Sequence, residues 1–383
     1  MARMPRRSVV NTFILQHANV SSAAPAITMP APIEAAVRSG AWVVFNLSGG
    51  KDSSAALFAA MNTLDALGHP HERRIAVHAD LGRAEWDSTP DTIARIAAAA
   101  RIPLTVRRRR SGDLFERWEQ RFAAGKLRYE SLSTYNLIGP WSSAALRFCT
   151  SEQKAQVLGP YLARILAGAT IIQVIGIRRD ESSARSKAPD WKPDTRFARA
   201  GNRAGTTMMV WHPIAHWSAD QVFALHAQLG IPLHEAYSCY GSSRLSCRFC
   251  VLQSQADSQA AASAPSNRDA FLHLVDLEAR STFSFQPGRW LADTAPQLLP
   301  ASLALDLARA KRDAEERRAL EGNMPADLRF CKGWPPRVPT FDEAHRIATA
   351  RGPILRRHRL ENRFPDAAAV RARFTELLAA KAA

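Results

Sequence analysis

The segment Ser48-Gly49-Gly50-Lys51-Asp52-Ser53 has the residue types and spacing to meet a phosphate group. Adjacent glycines let the backbone turn sharply and approach a ligand closely. The segment follows a compact apolar run, Trp42 to Leu47, and precedes a stretch with helical spacing (Leu57, Ala60, Met61, Leu64). Its free N–H groups would therefore open a helix whose dipole favours an anion. The spacing is not that of a Walker A loop, and it is not GxGxxG. A glycine-rich connection with no ligand is the plain alternative. Four polar residues flanking the glycines at the end of a buried strand argue against it.

The cysteines form the second chemical group. Cys149 stands before a helix, and Cys239, Cys247 and Cys250 cluster in one loop. Cys247-x-x-Cys250 fits zinc, iron–sulfur or redox use. A thioredoxin-type pair would open a helix in a small βαβ domain, which the loop Ser242 to Ser246 does not suggest. Four thiolates can close a tetrahedral zinc site or hold a cluster of the 4Fe–4S type. Against both stands the reading of Cys149 and Cys239 as small buried hydrophobes. Cys331, alone beside Lys332, reads as incidental.

Strands alternating with helices must position these groups. Strands are expected at 42–47, 75–79, 104–107, 170–175 and 210–214. Helices are expected at 53–67 and 89–100, and from Gly112 to Phe122. Further helices run from a Thr150/Gln153 capping box to Leu166, and from a Ser218/Gln221 capping box to Gly230. That order predicts an α/β fold with a doubly wound, mostly parallel sheet covered on both faces. Such sheets bind ligands at the carboxyl ends of their strands. Residues 1–35, rich in Ala, Ser and Pro, read as a poorly ordered arm, with Met29 an alternative start. Residues 36–255 read as the nucleotide-binding catalytic domain. Gln253 to Asn267 reads as a linker into a mainly helical C-terminal extension, 256–383, with helices at 301–320, 341–350 and 367–380.

Several segments together resemble a known family. After the phosphate loop come His78-Ala79-Asp80-Leu81-Gly82, Arg147-Phe148-Cys149-Thr150, Gly176 to Ser182 with Arg185, and Tyr240 to Arg244 leading into Cys247 and Cys250. SGGKDS after a first buried strand is similar to the signature of the adenine nucleotide alpha-hydrolase (N-type ATP pyrophosphatase, PP-loop) superfamily. The whole set, over about residues 40 to 255, resembles the phosphoadenosine phosphosulfate reductase family. The resemblance implies that Ser48, Gly49, Gly50 and Ser53 hold terminal phosphates, that Lys51 neutralises them, and that Asp52 positions Mg²⁺ or the loop. It implies that Asp80 contacts the nucleoside and that Arg178 and Arg185 contact phosphate or sulfate. It also favours iron–sulfur over zinc for Cys149, Cys239, Cys247 and Cys250. The chain departs from the reductases in two respects: no Glu-Cys-Gly stands near its C-terminus, and it has no adjacent cysteine pair.

The expected activity is therefore adenylation of an acceptor by ATP with release of pyrophosphate, coupled to sulfur transfer, with a nucleic acid as candidate acceptor and a protein as candidate sulfur donor. Two alternatives stand beside it: reduction of adenylyl sulfate or phosphoadenylyl sulfate, and a non-catalytic module that binds nucleotide and nucleic acid in a phage or defence system.

Composition bounds these readings. The 383 residues carry 51 basic and 35 acidic side chains, and 43 of the basic ones are arginine. Residues 1–255 hold +12 of the net +16, so most of the excess belongs to the nucleotide-binding part rather than to a detached basic tail. The run Arg107 to Arg110 is the candidate nucleic-acid contact. Five cysteines exclude a disulfide-dense secreted scaffold and fit a reducing cytoplasm, and no apolar run is long enough to span a bilayer.

Overall fold

The computed structural model describes residues 25–323, 325–328 and 333–382; most of the expected N-terminal arm and Cys331 lie outside the described residues. From Pro25 onward the chain is more ordered than its composition suggests. Trp211 Nε1 donates to the Thr28 carbonyl at 2.8 Å, and Ile27 and Met29 pack on the core. Helix α1 (Ala31–Arg38) follows, with Ile33 and Val37 buried. Residues 25–35 thus correct the expected arm: Ile27, Met29 and Ile33 have a core to bury against.

Next come β1 (Trp42–Asn46), α2 (Lys51–Ala66), β2 (Arg74–Asp80), α3 (Thr89–Ala99), β3 (Leu104–Arg108) and α4 (Leu114–Glu130). A helical turn α5 (Phe148–Thr150) runs through a π-helical turn, Ser151–Ala155, into α6 (Gln156–Ile165). Strands β4 (Thr170–Val174), β5 (Trp191–Pro193) and β6 (Thr207–Trp211) and helices α7 (Ala219–Leu229) and α8 (Glu235–Ser238) complete the unit. The six strands lie in the order β3-β2-β1-β4-β6-β5, all parallel except the short antiparallel edge strand β5. The fold is the expected doubly wound α/β sheet with a helical C-terminal region.

Period-two alternation explains the two layers. Val43 and Phe45 face a core made with Leu57, Leu64, Ile93, Ile96 and Val222. Val44, Val77 and Ile171 face the other side, against Leu158 and Leu162 of α6. The Ser218/Gln221 capping box opens α7, and Gly230 closes it in the left-handed conformation. Three local expectations change. Thr150 does not cap a helix, because Phe148 already starts one and Thr150 lies inside it. Helix α4 is capped by Asp113 with Glu116 and continues two turns beyond Phe122. Strand β6 begins at Thr207 and stops at Trp211, two residues before Pro213, which has no N–H to donate.

The stretch that reads as a linker is helical. Ser254 caps α9 (Gln255–Ser263), accepting from Asp257 N at 3.0 Å, and α10 (Arg268–Ser281) follows a short turn. Its alanines serve close packing: Ala261 and Ala262 sit in one cluster with Leu81, Trp86, Phe115, Trp118, Phe249, Phe271 and Leu274. Helices α11 (Ala301–Gly322), α12 (Phe341–Arg357) and α13 (Ala367–Ala382) finish the chain, with Ile347, Val370 and Phe374 at the centre of a further cluster. Among the described residues no helix is long and apolar enough to cross a membrane.

Candidate nucleotide site

Strand β1 pairs with β2 on one side and with β4 on the other, so successive strands are added in opposite directions from β1. The crevice at the carboxyl ends of such a sheet is its ligand site, and the loop from Ser48 to Gly50 occupies it. Gly49 has φ +75°, a conformation a side chain would strain, and Gly50 leads directly into α2. Ser53 Oγ receives the Ser48 N–H at 3.2 Å and donates to the Gly50 carbonyl at 2.8 Å, which closes the turn. Gly176, just beyond β4, is pressed against it. A Cβ there would stand 2.3 Å from the Asp52 carbonyl oxygen.

The cleft encloses about 770 Å³, its open mouth included. Of the residues expected to contact a ligand, Ser48, Gly50, Asp52, Ser53 and Arg185 line it, together with Glu85, Lys154, Gly176, Glu181, Tyr237, Arg244 and Cys247. Four expected contacts do not line it: Gly49 forms the turn behind it, and Lys51, Asp80 and Arg178 are engaged elsewhere. Lys51 is buried, its ammonium 3.3 Å from the Ser243 carbonyl and near the faces of Phe223 and Tyr237. Asp80 is committed to its own turn, accepting from Gly82 N at 2.7 Å, and to an ion pair with Arg108. Arg178 is buried under the loop, where its Nε donates to Asp52 Oδ1 at 2.6 Å and its Nη1 to Asp180. Burial alone would lower the Arg178 pKa; the Asp52 and Asp180 carboxylates outweigh it and raise it. Arg178 therefore acts on the cleft through Asp52.

Tyr237 and Glu85 are not marked by any sequence motif. The Tyr237 hydroxyl accepts from Lys51 N at 3.3 Å and from Leu245 N at 2.8 Å, so one phenol oxygen ties the phosphate loop to the cysteine loop. Burial pushes that phenol's pKa up. Glu85 is oriented by His78, whose Nε2 lies 3.0 Å from Glu85 Oε2 and whose Nδ1 lies 2.9 Å from the Leu47 carbonyl. Glu181 and Arg244, by contrast, lie inside the motif segments. Glu181 holds Arg185 and stands 3.7 Å from Arg244, keeping both guanidinium groups at the cleft. Lys154 enters from the π-helical turn.

The four cysteines are not brought together as a ligand set. Cys149, Cys247 and Cys250 lie within electrostatic reach of one another, while Cys239 is exposed and close to Ser238 Oγ. Among the described residues no group of three or more His, Cys, Asp or Glu side chains is arranged to hold a metal ion. Burial raises the thiol pKa of both Cys247 and Cys250. As placed, the donors do not fit a cluster or a zinc ion. Mg²⁺ makes a smaller demand: it needs one or two carboxylates beside phosphate oxygens and water. Asp52, at the phosphate loop, meets that, although Arg178 and Lys51 already engage its oxygens.

The sequence profile of the phosphoadenosine phosphosulfate reductase domain matches residues 42–251, from the first strand to the cysteine loop. The chain belongs to that family. In the phosphoadenosine phosphosulfate reductase family, the matched span here covers every residue that lines the cleft. One relative is the uncharacterized 37.8 kDa protein in the gpa 5′ region of Escherichia phage 186, 32% identical over 118 residues. That alignment takes in 30% of this chain, and the chain spans about a third (32%) of the length of that relative. The crystal structure of phosphoadenylyl-sulfate (PAPS) reductase from Candida auris in its phosphate complex covers 58% of this chain and 98% of its own, with 14% identity and a TM-score of 0.34.

Proposed function

We propose that the chain is a nucleotide-activating enzyme that binds the phosphates of ATP on the loop Ser48 to Ser53, transfers the adenylyl group to an acceptor with release of pyrophosphate, and couples this to sulfur transfer. The observation that carries the reading is the position of that loop: N–H groups at the start of α2, in the crevice where the sheet reverses, beside the cations Lys154, Arg185 and Arg244.

An acceptor oxygen would attack the α-phosphorus, the bond to the bridging oxygen would break, and pyrophosphate would leave. A sulfur nucleophile at the sulfide level would then displace AMP. The chain's own contribution is positioning and charge neutralisation. Ser48, Ser53 and the loop amides would hold the departing pyrophosphate, and Arg185 and Arg244 would meet the charge that develops on it. Asp52, fixed by Arg178, would hold Mg²⁺, which when bound supplies further neutralisation of phosphate charge. No step is routed through the cysteines.

Pyrophosphate release from Mg-ATP, assayed with oligonucleotide and small-molecule acceptors, tests the reading. Release that is lost in Asp52→Ala supports it, and no release with any acceptor overturns it. Sulfite formed from adenylyl sulfate or phosphoadenylyl sulfate would select the reductase activity instead, and nucleotide binding without any product would leave a binding module.

A further inference from the structure

We infer that a basic track running from the edge strand β3 into the cleft is a docking surface for single-stranded nucleic acid. The inference deepens the proposed function by naming the class of acceptor, and it rests on that reading only for what happens at the end of the track.

Strand β3 is the outer strand of the sheet, paired with β2 alone, and Val106, Arg107 and Arg108 are exposed on it. Arg108 is neutralised by Asp80. Its neighbours are not: among the described residues Arg107, Arg109 and Arg110 form no ion pair. The Arg107 guanidinium lies over the Tyr161 ring at 4.2 Å, and Arg109 Nη1 donates only to the Ser111 carbonyl, at 3.0 Å.

The positive charge continues inward. Arg109 lies within electrostatic reach of Glu152, as do Arg117 and Arg121. Arg117 grips Glu152 with two bonds, at 2.6 and 2.9 Å, and with Arg121 it covers the face of Phe148. Two residues beyond Glu152, Lys154 lines the cleft, where Arg185 and Arg244 wait. Glu152 is thus one acid shared by Arg109, Arg117 and Arg121. Residues 101–164 carry 12 basic and five acidic side chains, a net +7 out of +16 for the whole chain.

Charge concentrated in this way repels itself in the folded state, and a partner of opposite sign offsets that cost. A row of guanidinium groups fits repeated phosphates, which each can grip with a planar pair of N–H bonds. An acidic protein fits less well, because among the described residues 101–165 the exposed large apolar side chains are Val106, Leu127, Leu146 and Ile165, one each on β3, on α4, on the loop before α5 and at the end of α6 rather than clustered on one element as an apolar interface core would be. A single strand fits better than a duplex, because the cleft is recessed at the sheet end and a base inside a duplex would have to leave its stack to reach it.

The test is fluorescence anisotropy of a fluorescein-labelled 20-nucleotide single-stranded DNA with the full chain, between about 50 and 200 mM salt. Binding is expected to weaken steeply with salt. In Arg109→Glu/Arg110→Glu the affinity should fall at least about tenfold, and the log–log salt slope should shrink by about 1.4, roughly 0.7 per lost phosphate contact. The control is Arg199→Glu/Arg203→Glu, the same charge change in the exposed loop at the amino end of β6, which should stay within about twofold of wild type. The proposal is overturned by absence of binding at low salt, by equal losses in both variants, or by a 20-base-pair duplex that binds as tightly with the same dependence. Calorimetric titration of Mg-ATP reads the cleft separately. Intact ATP binding without strand binding sinks only the track, and the converse sinks only the nucleotide reading.

Discussion

Arg178 and Asp52, 126 positions apart in the chain, form an ion pair at 2.6 Å beside the phosphate loop, the guanidinium buried and the carboxylate half-buried at the cleft. Asp52 sits in the first turn of α2 and Arg178 just beyond β4, so the pair fastens the two strand ends that flank the crevice. It orients a carboxylate that faces the cleft with a cation that does not.

Without Arg178, Asp52 would keep the Lys51 ammonium at 3.4 Å and its exposure to the cleft. Arg178→Ala should therefore lower the unfolding free energy by about 1–2 kcal/mol, between the values for an exposed and a buried pair. Arg178→Ala/Asp52→Ala should cost less than the sum of the single changes. Urea denaturation of the four proteins in the cycle measures the coupling, and additive losses would show that the contact does not contribute in solution.

A methyl group at position 176 would collide with the Asp52 backbone. Gly176→Ala should therefore displace the phosphate loop and weaken Mg-ATP binding by about tenfold or more, with circular dichroism unchanged. Gly322→Ala is the control. A Cβ there meets nothing within 4 Å, and the residue ends α11, so binding should not change. Calorimetry on both variants gives the comparison.

Glu278 is fully buried in α10, and its carboxylate accepts from Phe285 N and Leu291 N, both at 2.7 Å, and from Ala292 N at 3.1 Å. Burial pushes its pKa up to about 7 from 4.5, against the pull of those three N–H groups. A carboxyl whose pKa is higher in the folded state binds more protons folded than unfolded. Its contribution is complete below about pH 4.5 and is lost as the pH rises to about 7. Relative to Glu278→Gln, the wild type should lose about 3 kcal/mol across that window. Denaturation series at several pH values would expose a flat difference if the group does not titrate there.

Thiol reactivity should separate the cysteines. Cys239 is exposed, whereas burial raises the pKa of Cys247 and Cys250 and keeps them protonated. Iodoacetamide at neutral pH should label Cys239 at least about tenfold faster than the CxxC pair, because the thiolate is the reacting form. Peptide mass spectrometry over a time course reads the order, and equal rates would contradict the placement. Iron and zinc analysis of the same preparation, made anaerobically, establishes whether a metal brings the four together.

The sheet was legible because each main strand is a compact apolar run ended by a polar or glycine-containing turn, and Trp42 to Leu47 shows this most plainly. The phosphate loop was legible because glycine is the residue that takes the positive φ at position 49 without strain. What local sequence could not supply is direction. Lys51 carries the charge a phosphate wants, but it turns toward the Ser243 carbonyl, 192 positions away. Asp80 is drawn off by Arg108, which reads as part of a four-arginine run and comes opposite Asp80 only when β2 and β3 pair. Alanine and serine between 253 and 267 look like slack, yet small side chains are also what lets α9 settle closely among aromatic rings. Composition cannot separate those two uses.

The cluster joining Trp118 and Phe249 to Phe271 and Leu274 has a consequence for how this chain can be cut. A gene fragment ending with the family match at residue 251 would keep every group that lines the cleft but would strip the aromatic cluster of Trp118 and Phe249 of its cover. Phe249, whose ring centre lies 5.6 Å from that of Phe271, would face water. Helices α9 and α10 in this sense complete the packing of the family-matched unit, and an expression boundary that respects it lies beyond Ser281 rather than before Gln255.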